Sequence, residues 1–134
     1  MGASDWDYFT RWHPDVHAAF NALKEEAAGD QDPMELLLNA GEDMTHSILD
    51  IIGGISDTYY DARGAHDFLQ AFPVSPAWLL KNYGTIRPTR QMVEGKPEVF
   101  EDLERGTALF FAVWGKPGDK GNPDWWYFYG CTGD

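Results

Sequence analysis

The stretch Thr107 to Cys131 constrains the fold more than any other, because two dense aromatic runs flank a loop rich in Gly and Pro. In Thr107 to Trp114, Leu109, Phe111 and Val113 alternate with Ala108, Phe110, Ala112 and Trp114. In Trp125 to Cys131, Trp125, Tyr127 and Tyr129 alternate with Trp126 and Phe128. A period of two reads as strand, and apolar residues on both sides of each strand mean that both faces need cover. Gly115 to Asp124, with Pro117, Gly118, Gly121 and Pro123, cannot be regular structure and predicts an exposed, mobile tip. The two runs are therefore expected to form a hairpin at the centre of the core.

Cover is available in four segments with the same punctuation, a proline suited to the first helical position and a glycine suited to the residue past the end. Pro14 to Gly29 carries Val16, Ala19, Phe20, Leu23 and Ala27 on one face; Asp32 caps Pro33, with Met34, Leu37 and Leu38 before Gly41. Ser75 caps Pro76, and that helix runs through Trp78, Leu79 and Leu80 to Gly84. Pro97 starts Glu98 to Arg105, with Val99, Phe100 and Leu103 on one side and Gly106 as the stop. Thr89 to Glu94 reads as a further helical turn, which Gly95 and Pro97 cut short.

Met44 to Ser56 is ambiguous. Ile48, Ile51, Ile52 and Ile55 fit a helix, yet the β-branched density and the pair Gly53-Gly54 favour a strand over Thr45 to Ile52, buried on both sides. The predicted fold class is α+β: a small, mainly antiparallel sheet of three to four strands, including the C-terminal hairpin, covered by about four short helices. At 134 residues, with no linker, repeat or low-complexity tract, residues 1–134 read as one globular domain.

Charge is the most unusual bulk property: 22 acidic against 10 basic residues give a net charge of -12. Direct nucleic-acid binding is disfavoured, since phosphates would be repelled and no Lys/Arg cluster is present to release their counterions. A basic protein would be attracted. No apolar run approaches membrane-spanning length, and the single cysteine, Cys131, fits a reducing compartment, so a cytoplasmic location is expected.

No motif fixes a chemistry. His13 and His17 have the i,i+4 spacing of paired metal ligands, but Pro14 as a first helical residue would leave His13 outside the helix. His46 and Asp50 would be neighbours on a helix; on the predicted strand they lie about 13 Å apart, which argues against a catalytic dyad. His66 and Asp67 are adjacent, so their side chains diverge. Cys131 at the end of an aromatic strand reads as a buried thiol, and Asp119 to Asp124 lacks the alternating ligands of a calcium loop. Gly53-Gly54 has no phosphate-binding context. No metal and no cofactor are expected.

The most suggestive segment is Asp57 to Asp67, where Asp57, Tyr59, Tyr60, Asp61, Arg63, His66 and Asp67 fall between presumed elements. Tyrosines beside acids in a loop make a contact surface, because tyrosine gives area at small entropic cost and carboxylates steer a basic partner. The binding candidates are Asp57, Tyr59, Tyr60, Asp61, His66 and Asp67. Size, acidity and the absence of a catalytic motif favour a non-enzymatic interaction protein of bacterial type, as an immunity protein or inhibitor of a nucleic-acid-acting toxin would be. The rival is a small enzyme or ligand-binding domain with a pocket lined by Trp and Tyr and a histidine such as His46 or His66 as acid/base.

Overall fold

The computed structural model describes residues 4–28, 47–61, 69–101, 103 and 106–132. The aromatic runs form β3 (Thr107–Val113) and β4 (Trp125–Thr132), an antiparallel hairpin in which Phe110 faces Phe128 and Leu109 faces Tyr129. Two further strands complete a sheet of order β1-β4-β3-β2: β1 (Ser4–Arg11), antiparallel to β4, and β2 (Gln70–Pro73), parallel to β3. The architecture is α+β, as the sequence predicts, and the sheet is mixed: among the described strands two pairings are antiparallel, in keeping with the mainly antiparallel sheet expected, and one is parallel. Parallel pairing follows from connectivity, because the long connection from Val74 to Gly106 crosses one face of the sheet before the chain returns in the same direction.

Alternation places side chains on two faces, and both are covered. Leu109, Phe111, Val113 and Tyr127 meet Leu79 and Tyr83 of α2 (Pro76–Tyr83), Val93 of α3 (Arg90–Glu94) and Phe100 of a 3-10 turn at Pro97–Phe100. On the opposite face Ala108, Phe110 and Phe128 meet Phe20 and Leu23 of α1 (Val16–Ala28), together with Ile48 and Ile51.

Helix ends follow local chemistry. Ser75 accepts from the Trp78 amide at 3.1 Å with Pro76 in the first turn, and Gly84 closes α2 in the left-handed conformation, φ 74°. Thr89 caps α3 by accepting from the Met92 amide at 3.2 Å. α1 begins at Val16 rather than Pro14: the Asp15 carboxylate accepts from the His17 amide at 3.0 Å, and its carbonyl accepts from Ala19. The predicted helix from Pro97 to Arg105 contracts to the 3-10 turn, with 102, 104 and 105 outside the described residues. The helix expected from Asp32 to Gly41 also lies outside them.

The strand predicted over Thr45 to Ile52 is a correction. Thr45 and His46 lie outside the described residues, and Ile48–Asp50 is a 3-10 turn. A capping box wins over β propensity here: Ser47 Oγ accepts from the Leu49 amide at 3.2 Å, and Asp50 Oδ2 accepts from the Ser47 amide at 3.4 Å. Ile48 and Ile51 plug the core from this turn. Strand-like pairing shifts past Gly53-Gly54, where Ala71 donates to the Gly54 carbonyl at 3.0 Å and Ser56 donates to the Ala71 carbonyl at 2.8 Å. Segment 53–60 thereby covers the outer edge of β2.

The hairpin tip is exposed but tied back. Trp114 Nε1 donates to the Gly121 carbonyl at 2.9 Å, Gly115 N donates to Asp124 Oδ2 at 2.7 Å, and Arg87 Nη1 donates to the Asp119 carbonyl at 3.1 Å. No helix among the described residues is long and apolar enough to cross a membrane.

Candidate functional site

After Ser56 the chain turns sharply: Ser56 Oγ accepts from the Thr58 amide at 3.1 Å, which leaves Asp57 and Tyr59 in solvent, Tyr59 with 58% of its surface exposed. The Tyr60 amide then donates to the Pro73 carbonyl at 2.8 Å, and this bond anchors Tyr60 at the end of β2. From there Tyr60 and Asp61 line a cleft of about 470 Å³. Its other walls are Trp78, Val99, Phe100, Leu103 and Leu109, and Ser75, Lys81 and Asn82 supply polar groups.

Ring contacts and hydrogen bonds tie the walls together. Trp78 lies 5.7 Å from Phe111 and 6.1 Å from Phe100, and Phe100 stacks on Tyr129 with centroids 4.1 Å apart at 12°. Asn82 Nδ2 donates to the Trp78 carbonyl at 2.9 Å, and the Ser75 hydroxyl is engaged as the cap of α2. Aromatic walls with a carboxylate and an ammonium group among the lining residues suit a flat or long side chain carrying a polar end.

Four of the six sequence-predicted binding residues are therefore described, and they divide into an exposed pair, Asp57 and Tyr59, and a cleft-lining pair, Tyr60 and Asp61. His66 and Asp67 lie outside the described residues, as do His46 and Arg63. Trp78, Lys81 and Asn82 were not anticipated as site residues. Their i, i+3, i+4 spacing on a helix with a readable cap was the signal that could have found them.

A second group of polar contacts was equally unforeseen. Tyr127 donates to Asp7 Oδ2 at 3.0 Å and Tyr129 donates to Asp5 Oδ2, so the acids of β1 orient the phenols of β4. Burial first, then the neighbouring carboxylate and its hydrogen bond, raise the Tyr127 phenol well above its ordinary range. Tyr129 is raised by burial and by its bond to Asp5. Tyr83 is raised by burial and the nearby Glu98, and its buried hydroxyl has no hydrogen-bond partner among the described residues.

The remaining candidates separate. His13 and His17 are both exposed; His13 precedes α1 and accepts from the Asp15 amide at 2.9 Å, while His17 lies in its first turn. Among the described residues no group of three His, Cys, Asp or Glu side chains could hold a metal ion. Asp50 is fully buried and accepts from Thr132 at 2.6 Å. Cys131 is half-buried at the end of β4. Comparison with known protein families, with characterised proteins and with solved structures gives no match.

Proposed function

We propose that the protein is a non-enzymatic interaction protein that binds a basic protein partner, in the manner of an immunity protein or inhibitor of a nucleic-acid-acting toxin. The observation that carries this reading is the cleft, where Tyr60 and Asp61 meet the walls formed by Trp78 and Phe100 beside the exposed Asp57 and Tyr59. An arginine side chain is the natural occupant. Its planar guanidinium stacks on aromatic faces, its aliphatic stem fills apolar wall, and the carboxylates attract its charge. Lys81 offsets part of that attraction locally, so stacking fixes the position while the net charge of -12 supplies long-range steering.

The test is capture from native lysate with wild-type bait and with Trp78→Ala and Asp57→Asn/Tyr59→Ala baits. The expected result is an identifiable basic, nucleic-acid-acting protein that the wild type retains, the variants lose, and high salt releases. Stoichiometric addition of the wild type should suppress that protein's activity. Capture of no basic protein, or capture indifferent to these substitutions, would sink the proposal.

The rival reading as a small enzyme or ligand-binding domain draws on the same cleft, whose volume falls within the range of small-molecule sites. Saturable shifts in tryptophan fluorescence with small aromatic cations, lost in Trp78→Phe and unaffected by Asp57→Asn/Tyr59→Ala, would favour it.

A further inference from the structure

We infer that β1 is a dimerisation edge, along which two copies of the chain join antiparallel about a two-fold axis at Tyr8. The surface lies on the opposite edge of the sheet from β2 and segment 53–60, and the inference goes beyond the reading of the cleft.

The sheet order leaves β1 outermost over eight residues, and among the described residues no strand pairs with its free side. The backbone parity of that free side can be read off. Trp12 continues the β1–β4 register opposite Asp124 and donates to its carbonyl at 3.1 Å, so even-numbered residues of β1 bond to β4. The amides and carbonyls of Asp5, Asp7, Phe9 and Arg11 therefore point outward. An eight-residue edge strand with no strand partner among the described residues is a ready template for pairing.

The sequence Ser4-Asp5-Trp6-Asp7-Tyr8-Phe9-Thr10-Arg11 is complementary to itself over its whole outward-pointing length in the antiparallel register centred on Tyr8. The register centred on Phe9 also sets Asp7 opposite Arg11 but shortens the ladder and leaves Asp5 unmatched. With Tyr8 opposite Tyr8 of the second copy, Asp5 falls opposite Arg11 and Asp7 opposite Phe9, and symmetry repeats both pairs. All of these are outward-pointing residues, so each pairing exchanges two backbone hydrogen bonds. Directly opposed residues share a face, which places the Asp5 carboxylate beside the guanidinium of Arg11 from the other copy at both ends of the joint. Arg11 is exposed and makes no ion pair among the described residues, while Tyr129 already holds one oxygen of Asp5 in place. A shift by one residue either way would lose the charge match and turn apolar side chains to the wrong face.

A second observation agrees with this register. A groove of about 400 Å³ runs beside β1 against α1, lined by Tyr8, Phe9, Thr10, Arg11, Leu23, Glu26 and Ala27. Tyr8 of the second copy would stand next to Tyr8 on that face and seat its ring against Leu23 and Ala27. Joined this way, two four-stranded sheets become one continuous sheet with a single symmetric interface. The net charge of each copy opposes association at low ionic strength, so moderate salt, which shortens the reach of that repulsion, should favour the dimer.

Sedimentation equilibrium of the full chain in moderate salt tests the proposal, with circular dichroism confirming that each variant is folded. The wild type is expected to form a dimer with a roughly micromolar dissociation constant. Arg11→Asp should weaken it by about tenfold or more, because a like charge then opposes Asp5 at both ends. Asp5→Arg/Arg11→Asp should restore it to within about threefold. Tyr8→Cys in a Cys131→Ser background should cross-link to a covalent dimer under mild oxidation, since opposed residues at the axis bring their Cβ atoms within about 5.5 Å. A wild type that stays monomeric, a dimer unaffected by Arg11→Asp, or a Tyr8→Cys chain that does not cross-link while the protein is dimeric would each overturn the inference.

Discussion

The Thr132 hydroxyl donates to the Asp50 carboxylate at 2.6 Å while accepting from the Trp6 indole nitrogen at 2.8 Å, so one hydroxyl joins β1, β4 and the turn at Ile48–Asp50. Asp50 and Thr132 are both fully buried, which makes the direction of the hydroxyl proton a structural necessity: indole can only donate and the carboxylate accepts. Thr132→Val removes both bonds with little change of shape and is expected to cost about 2–3 kcal/mol, read from the midpoint of denaturant unfolding. Thr132→Ser keeps the hydroxyl and should stay within about 1 kcal/mol of the wild type. A Thr132→Ser cost as large as that of Thr132→Val would show that the hydrogen-bond chain is not the dominant contribution at this position.

Gly130 sits opposite Trp6 in the β1–β4 register, and the indole lies across it so closely that an added Cβ would come within 2.2 Å of the ring. Gly130→Ala should therefore cost about 2–3 kcal/mol through displacement of the indole. In a Trp6→Leu background the same change should cost less than about 1 kcal/mol, because the clash is gone. A double-mutant cycle measures the difference directly, and additive costs would refute it.

Tyr83 presents the opposite case, a buried hydroxyl without a partner among the described residues. Tyr83→Phe removes a desolvated group and keeps the ring contacts with Trp78 and Phe111, so stability should hold or rise by up to about 1 kcal/mol. Tyr127→Phe is the contrasting control. It deletes the bond to Asp7 and should destabilise by about 1–2 kcal/mol.

Alkaline pH should act through the same phenols. Tyr83, Tyr127 and Tyr129 all have ionisation raised in the folded state, with burial as the first cause. A raised folded value means that their stabilising contribution is complete below the unfolded value, about 10 for tyrosine, and is lost as pH climbs from there towards the folded values. Denaturant midpoints between about pH 8 and 11 should fall beyond pH 10, and the fall should be shallower in Tyr127→Phe. A midpoint flat across this range would contradict the environment described for these groups.

The hairpin was legible because β3 and β4 each alternate apolar residues on two faces, and no other element tolerates that pattern. The helix from Ser75 to Gly84 was legible from its cap, its proline and its left-handed glycine. β1 was not, since Asp5 and Asp7 interrupt its apolar residues and the phenols that pair with them, Tyr129 and Tyr127, lie more than a hundred positions away. β2 is short, ends in Pro73, and gains its identity from pairing with β3. At Ser47 to Asp50 the capping pattern was present in the sequence, but four isoleucines nearby outweighed it. The candidate site divides similarly: Tyr60 and Asp61 were readable as an acidic aromatic loop, whereas Trp78 and Phe100 reach the cleft only once helix and turn pack on the sheet.

The position of β4 between β1 and β3 also sets a timetable. β1 precedes every other described element, yet its in-sheet neighbour is the last of them, so the contact joining them spans nearly the whole chain. Such long-range closure is slow, and during synthesis an aromatic segment waits unpaired until the final strand emerges. Asp5 and Asp7, which end as acceptors for two phenols, flank Trp6 throughout that wait and keep a sticky segment soluble. The same carboxylates serve first as gatekeepers of a nascent chain and then as fasteners of the finished sheet.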